Sequence, residues 1–335
     1  MHNTARIELH LHLDGSLNIR WAYEKSLQRG VIPADYTFSD YYSMLFENNV
    51  LPHAQSITKF DLTCSILQLY EDLEEATYDL VRRLNELGLW YAEIRFASQQ
   101  HRKQGLTQKE ALQAVIDGAT RGMRDFPDIR IGIINCMMHK GENAAANWEE
   151  NLETIAVTKE LLGKGAVGID LAGFENNGDF NDYGPLIRMA KEAGIPVTCH
   201  AGEMGMGEHV PTALSWGVDR IGHGVNCTQN EAWFRQVVDS QIPLEVCVSS
   251  NVKRTMNYAG HAILPLLEHG ANVTLNSDNL MFARTNILNE HYQLKMLGVS
   301  DDTLAQCTAN AIEAAFCGEE TKELLRNRLR EEQNR

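Results

Sequence analysis

Eight times along the chain, a short apolar, β-branched run is followed by a loop or by helical periodicity. The runs are Ile7–Leu13, Leu89–Phe96, Ile129–Met137, Ala166–Leu171, Ile195–His200, Arg220–His223, Leu244–Val248 and Asn272–Leu275. Glycine precedes several of them, as in EAGIPVTCHAGE and EHGANVTLNSDN, where it suits a helix C-terminal cap. Helical spacing fills the intervals, for example at Trp148–Leu162, Tyr183–Ala193 and Asn230–Ser240. Eight alternations predict an α/β fold, a parallel (β/α)8 TIM barrel. An open doubly wound sheet is the alternative that periodicity leaves standing.

One interval is much longer than the rest. About 75 residues separate the first run from the second, including SLNIRWAYEKSLQRG, FSDYYSMLFENN and a helical stretch from Ser56 to Glu86. They predict a helical lid insertion, about residues 15–87, on the first β-to-α connection and so over the C-terminal mouth of the barrel. The chain past Asp278 also reads as helical, with a charged final helix at Glu319–Arg330. No internal repeat or low-complexity linker divides it, so residues 1–335 are read as one domain.

A hydrophobic content of 44% allows a large core. No stretch approaches the roughly 18 uninterrupted apolar residues of a membrane helix. MHNTARIELHLHLDG contains no apolar signal segment, so a cytoplasmic protein without a membrane partner is expected. The seven cysteines are scattered and form no CxxC pair; they read as reduced, mostly buried thiols. A formal net charge of −15 opposes phosphate backbones, so no nucleic-acid partner is expected. It mildly favours a small neutral or cationic substrate.

Polar chemistry collects where the runs end. Residues 8–14 read ELHLHLD. Strand alternation puts Glu8, His10, His12 and Asp14 on one face and Leu9, Leu11 and Leu13 on the other. Two imidazoles at i and i+2 can hold one ion from the same side; a half-exposed strand with incidental histidines is the plainer alternative. The fifth run ends in Cys199-His200-Ala201-Gly202-Glu203, the sixth in Gly222-His223-Gly224 and the eighth in Asn276-Ser277-Asp278-Asn279. Four of eight strands therefore end in His or Asp, and in a barrel those ends converge on one mouth.

Three histidines, a carboxylate and an open position suit a catalytic zinc that lowers the pKa of a water towards about 7. Cysteine-based structural sites are excluded by spacing. His223 is a candidate base, and Asp278 can share the ligand and base roles. Glu203, three residues beyond His200, is placed to face the substrate as proton donor, a role that suits a carboxyl of raised pKa.

HLHLDGS at 10–16, DLAGFE at 170–175, HAGE at 200–203, GHG at 222–224 and NSDN at 276–279 together resemble the adenosine deaminase family. The match runs from about Arg6 to about Tyr292, with AEIRFA (92–97) and KFDL (59–62) in support. The resemblance implies one zinc ion per chain on His10, His12, His200 and Asp278. It implies that Glu203 protonates purine N1, making C6 electrophilic, and that His223 orients and deprotonates the attacking water. Gly173 matches the glycine whose N–H approaches purine N3, and Asp14 the residue that hydrogen-bonds the ribose 5′-hydroxyl. Phe60 and Ile57 resemble an apolar flap over the base, with plain helix packing as the alternative. The implied reaction is hydrolytic deamination of adenosine and 2′-deoxyadenosine to inosine and deoxyinosine, with release of ammonia.

Two departures stand out. The family usually closes its last motif with two aspartates and a proline, whereas this chain reads Asp278-Asn279-Leu280. The second aspartate normally contacts purine N7; an Asn279 amide still donates there, but a titratable donor is lost. CVSSN at 247–251 lacks the proline common after Cys, yet Ser250 keeps the serine position. Asn279 leaves open another 6-aminopurine substrate: adenine, a 5′-modified adenosine or 6-aminodeoxyfutalosine. Asp14 favours nucleosides, because related adenine deaminases tend to carry Glu there.

A purine-binding protein that has lost catalysis is the reading from another class. The presence of His10, His12, His200, Asp278, Glu203 and His223 together argues against it. The His-x-Glu and Pro-Cys-x-x-Cys signature of nucleic-acid deaminases is missing. No basic cluster near Asp14 is available for a 5′-phosphate.

Overall fold

The computed structural model describes residues 5–46, 59–176, 178–252 and 257–334. Each predicted run overlaps a strand, with β3, β4 and β5 extending one or two residues past the predicted ends: β1 (Ile7–His12), β2 (Tyr91–Phe96), β3 (Arg130–His139), β4 (Ala166–Gly173), β5 (Val197–Ala201), β6 (Arg220–His223), β7 (Leu244–Val246) and β8 (Val273–Leu275). They pair in chain order, every pair parallel. Beyond β8, the Asp278 N–H donates to the His10 carbonyl (2.9 Å) and the His12 N–H to the Asp278 carbonyl (2.8 Å). The sheet therefore returns to its first strand as a (β/α)8 barrel, which removes the open-sheet alternative. β7 stops two residues short of Val248, because Val248 opens a helix.

The connection from β1 to β2 holds α1 (Ile19–Gln28), α2 (Phe38–Phe46), α3 (Lys59–Ile66) and α4 (Tyr70–Glu86). The single helical stretch read from Ser56 is two helices, broken at 67–69; positions 56–58 lie outside the described residues. On α4, Leu73, Ala76, Thr77, Leu80, Val81 and Leu84 recur at the i, i+3, i+4 spacing of one buried stripe. That stripe meets α5 (Gln108–Asp125) across glycine. A Cβ at Gly118 would sit 2.4 Å from the Glu74 carbonyl, and one at Gly122 2.7 Å from Val81. α4 is thus packed as the first helix of the barrel ring, which leaves α1–α3 as the extra material.

The ring continues with α6 (Trp148–Leu161), α7 (Gly184–Glu192), α8 (His209–Ser215), α9 (Glu231–Ser240), α10 (Val248–Val252) and α11 (Ile263–Glu268). The C-terminal helices are α12 (Ile287–Met296), α13 (Asp301–Ala314) and α14 (Glu319–Gln333). α13 packs on β8 and β1 and closes the ring. Ile7 and Leu9 pack outward on Ala311, Ile312, Leu325 and Leu329 of α13 and α14. The alternate positions face inward, and there the barrel is ionic. Arg95 bonds Asp170 (2.9 Å) and Glu245 (2.8 Å), and Arg220 bonds Glu93 (2.5 Å) and Glu245 (2.7 Å), all without solvent exposure. Buried charges persist only when paired in this way. All seven cysteines are free thiols and six are buried. No described helix is long and apolar enough to cross a membrane.

Candidate active site

Parallel strands carry their C-terminal residues to one rim, so side chains distant in sequence meet there. His12 Nε2 lies 3.3 Å from His200 Nε2, and Asp278 Oδ1 lies 3.5 Å from His12 Nε2 and 3.8 Å from His10 Nε2. The His223 ring is 4.8 Å from that of His10, and its Nε2 is 3.6 Å from Glu203 Oε2. His223 (φ 61°) and Asp278 (φ 63°) both sit in the left-handed region. For residues with a Cβ that conformation costs about 1–3 kcal/mol each and persists only where surroundings enforce it.

Behind the imidazoles stand carboxylates. His10 Nδ1 is 2.7 Å from Glu245 Oε2, and His200 Nδ1 is 3.0 Å from Asp170 Oδ2. Both carboxylates are tied to Arg95. With each Nδ1 turned back onto a carboxylate, each Nε2 faces the centre, the orientation that metal-bound histidines take. His10 Nε2 is buried and has no hydrogen-bond partner among the described residues. Burial pushes His10 and His12 well below the ordinary imidazole value, so both are neutral. Burial also opposes charge on His200, but Asp170 outweighs it and lifts that group to about 9. Burial lowers His223 to about 4 against the pull of Asp278, whose own carboxyl burial raises. Three convergent imidazoles, of which His10 and His12 are neutral, a carboxylate and an unpaired buried nitrogen form a donor set that fits a divalent cation, which would displace the second ring proton of His200.

Further residues hold Asp278, His223 and Glu203 in place. Ser250 Oγ donates to Asp278 Oδ2 at 2.5 Å, which gives the retained serine its contact. Asn251 Nδ2 lies 3.2 Å from His223 Nδ1. The turn that bears Glu203 is gripped from both sides. Glu175 accepts the backbone N–H groups of Gly202 (2.5 Å), Glu203 (2.8 Å) and Met204 (3.0 Å). Asn226 Nδ2 donates to the carbonyls of Gly202 (2.7 Å) and Glu203 (3.0 Å). Sequence reasoning passed over Arg95, Asp170, Glu175, Asn226 and Glu245. A readable signal existed for three of them: Arg95, Asp170 and Glu245 interrupt apolar strands, and a charge inside a barrel demands a partner.

A cavity of about 420 Å3 opens onto this cluster, a volume suited to a small-molecule ligand. Its lining includes the four expected substrate contacts, Asp14, Gly173, Asn279 and Phe60. At Gly173 (φ 108°) a Cβ would strike the His139 carbonyl at 2.6 Å, so the close approach requires glycine. Asn279 Oδ1 packs on Gly15, where an added Cβ would overlap it. Phe60 is partly exposed to the cavity and meets Phe282 edge-on at 5.0 Å. Ile57 lies outside the described residues. A larger groove of about 580 Å3, beside Arg6, Trp90 and Arg328, lies at the opposite end of the barrel and gathers none of these groups.

The family model for adenosine deaminase matches residues 5–332. The chain belongs to the adenosine deaminase family. Among curated members, the adenosine deaminase of Haemophilus ducreyi is 36% identical over 328 residues, covering 95% of this chain and 94% of that protein. The adenosine deaminase of Clostridium perfringens is 33% identical over 330 residues, 97% of each. Adenine deaminase from Arthrobacter aurescens shares the fold at a TM-score of 0.84 and 24% identity, over 99% of both chains. A zinc-bound amidohydrolase from Burkholderia ambifaria does so at 0.84 and 21%, over 98% of this chain and 91% of that one. This member of the adenosine deaminase family is a hydrolytic enzyme that deaminates a purine.

Proposed function

We propose that the enzyme hydrolytically deaminates adenosine and 2′-deoxyadenosine with one zinc ion held by His10, His12, His200 and Asp278. The observation that carries this reading is the convergence of those four side chains beside a cavity that also holds Glu203, His223 and Asp14. When bound, zinc supplies Lewis acidity that makes water nucleophilic near neutral pH.

The chain's own groups do the rest. Glu203 delivers a proton to purine N1, which draws electron density from C6. His223, neutral in its buried setting, orients the water and takes its proton. Oxygen bonds to C6, the C6–N bond breaks, and the proton passes to the departing ammonia. The Gly173 N–H meets N3, the Asn279 amide donates to N7, and Phe60 covers the base. Asp14 takes the ribose 5′-hydroxyl; its Oδ1 is buried without a partner among the described residues. Residues 1–335 act as one domain, with α1–α3 over the barrel mouth.

Asn279 supports a second reading, a different 6-aminopurine substrate. Incubation of zinc-loaded protein with adenosine, deoxyadenosine and adenine, followed by ultraviolet absorbance, tests both. Conversion of the nucleosides ahead of adenine is expected. No conversion of any 6-aminopurine nucleoside would overturn the proposal.

A further inference from the structure

A second cluster of metal-ligating side chains lies beside the first. Asp14 follows β1, Cys64 sits on α3, and His101 follows the short helical turn after β2. One ligating atom from each lies within 4.8 Å of the others, and all three residues are buried. Cys64 Sγ donates to Asp14 Oδ2 at 3.4 Å and stands 3.2 Å from Gln100 Oε1. His101 Nδ1 is engaged with the Leu67 carbonyl at 2.7 Å, which leaves Nε2 as its free donor. That Nε2 is buried and has no partner among the described residues. An unsatisfied buried ring nitrogen costs about 1–3 kcal/mol, so its persistence beside a thiol and a carboxylate demands a reason.

We propose that Asp14, Cys64 and His101 form a second, inhibitory site for a soft divalent ion of the zinc–cadmium class, with Gln100 Oε1 as a fourth donor. Sulfur, imidazole nitrogen and carboxylate oxygen are the ligands such ions select. Thiolate and carboxylate together balance a 2+ charge, which makes the buried ion tolerable. On binding, the Cys64 thiol proton passes to solvent and a metal–sulfur bond replaces the S–H···Asp14 hydrogen bond. Asp14 and Gln100 both line the substrate cavity, which gives the ion its route in. An ion on Asp14 removes the carboxylate that the deaminase reading assigns to the ribose 5′-hydroxyl, so inhibition competes with nucleoside. Only this last step rests on that reading.

The four proposed zinc ligands include no cysteine, so a thiolate signal separates the two sites. Metal-free protein is titrated with Co2+ and its absorbance recorded. The first equivalent gives visible bands alone; the second adds a near-ultraviolet thiolate-to-cobalt charge-transfer band. In C64S, which keeps a hydroxyl donor for Asp14, the first equivalent remains and the charge-transfer band is lost. If C64S folds poorly, His101→Asn serves; its amide keeps a donor for the Leu67 carbonyl and deletes Nε2, weakening the second Co2+ at least tenfold. In turnover assays Cd2+ inhibits the parent competitively with adenosine, and C64S tolerates at least tenfold more. A titration without a thiolate band, or a band unchanged in C64S, overturns the proposal. Failure to deaminate adenosine leaves the cobalt titration intact and counts against the deaminase reading alone.

Discussion

The backbone N–H of Glu203 ends on the carboxylate of Glu175, 2.8 Å away, so one acidic residue positions another on a neighbouring loop. Glu175 lies two residues beyond Gly173, the expected N3 contact. The loop proposed to meet the base is therefore tied directly to the group proposed to protonate it. Burial opposes the charge on Glu175, yet His209 and the three N–H groups outweigh it and hold the carboxyl below its ordinary value.

Glu175→Gln keeps the shape but turns an amide N–H2 towards backbone N–H donors. A displacement of the order of 1 Å at a proton donor costs about 100-fold in rate. The expected result is a kcat reduced about 10- to 100-fold with KM within about threefold of the parent. Steady-state kinetics on adenosine check the split; an unchanged kcat contradicts the positioning role.

Glu203→Gln removes the transferable proton and leaves the four proposed ligands untouched. Turnover is expected to vanish while metal content stays at the parental level. Metal analysis alongside the absorbance assay reads both quantities. Near-normal rates in this variant would show that another group protonates the base.

Asn279 donates at every pH, whereas a carboxyl donates only when protonated. Asn279→Asp is expected to keep its activity near pH 6 and to gain an alkaline decline in kcat/KM that the parent lacks. Loss of one hydrogen bond of about 1 kcal/mol sets the size of that decline at roughly five- to tenfold. Superimposable pH profiles would remove Asn279 from the N7 contact.

Much of this architecture is legible in the chain. The strands announce themselves because Ile and Val cluster in them, and the proposed ligands are candidates because His and Asp fall at their C-terminal ends. Other features need the third dimension. Gly118 and Gly122 look like weak points in a helix until α4 closes on them. Arg95 and Glu245 stand out in sequence as charges inside apolar strands, yet that each is the other's buried partner shows only in the folded barrel. The Asp14–Cys64–His101 cluster unites three segments with no shared periodicity.

His291 offers a test away from the site. Burial, with Lys295 adding to it, lowers its pKa from 6.5 to about 4. Between those values the unfolded chain holds more protons than the folded one, so stability is full above 6.5 and lost as pH falls towards 4. His291→Gln lacks this loss. Any deficit of the variant at pH 7 is expected to shrink by about 2 kcal/mol at pH 5, at about 1.4 kcal/mol per pH unit. Denaturant unfolding of both proteins at the two pH values measures it. A deficit that widens at pH 5 reverses the sign and rejects the assignment.

In the proposed reaction, β1, β5 and the end of β8 bring three imidazoles and a carboxylate around a single catalytic cation. Elemental quantification of active protein, before and after dialysis against a chelator, addresses it most directly. The expected outcome is one tightly held divalent ion per chain, lost together with adenosine turnover and regained together with it on adding zinc. Undiminished turnover by protein stripped of stoichiometric metal would contradict it.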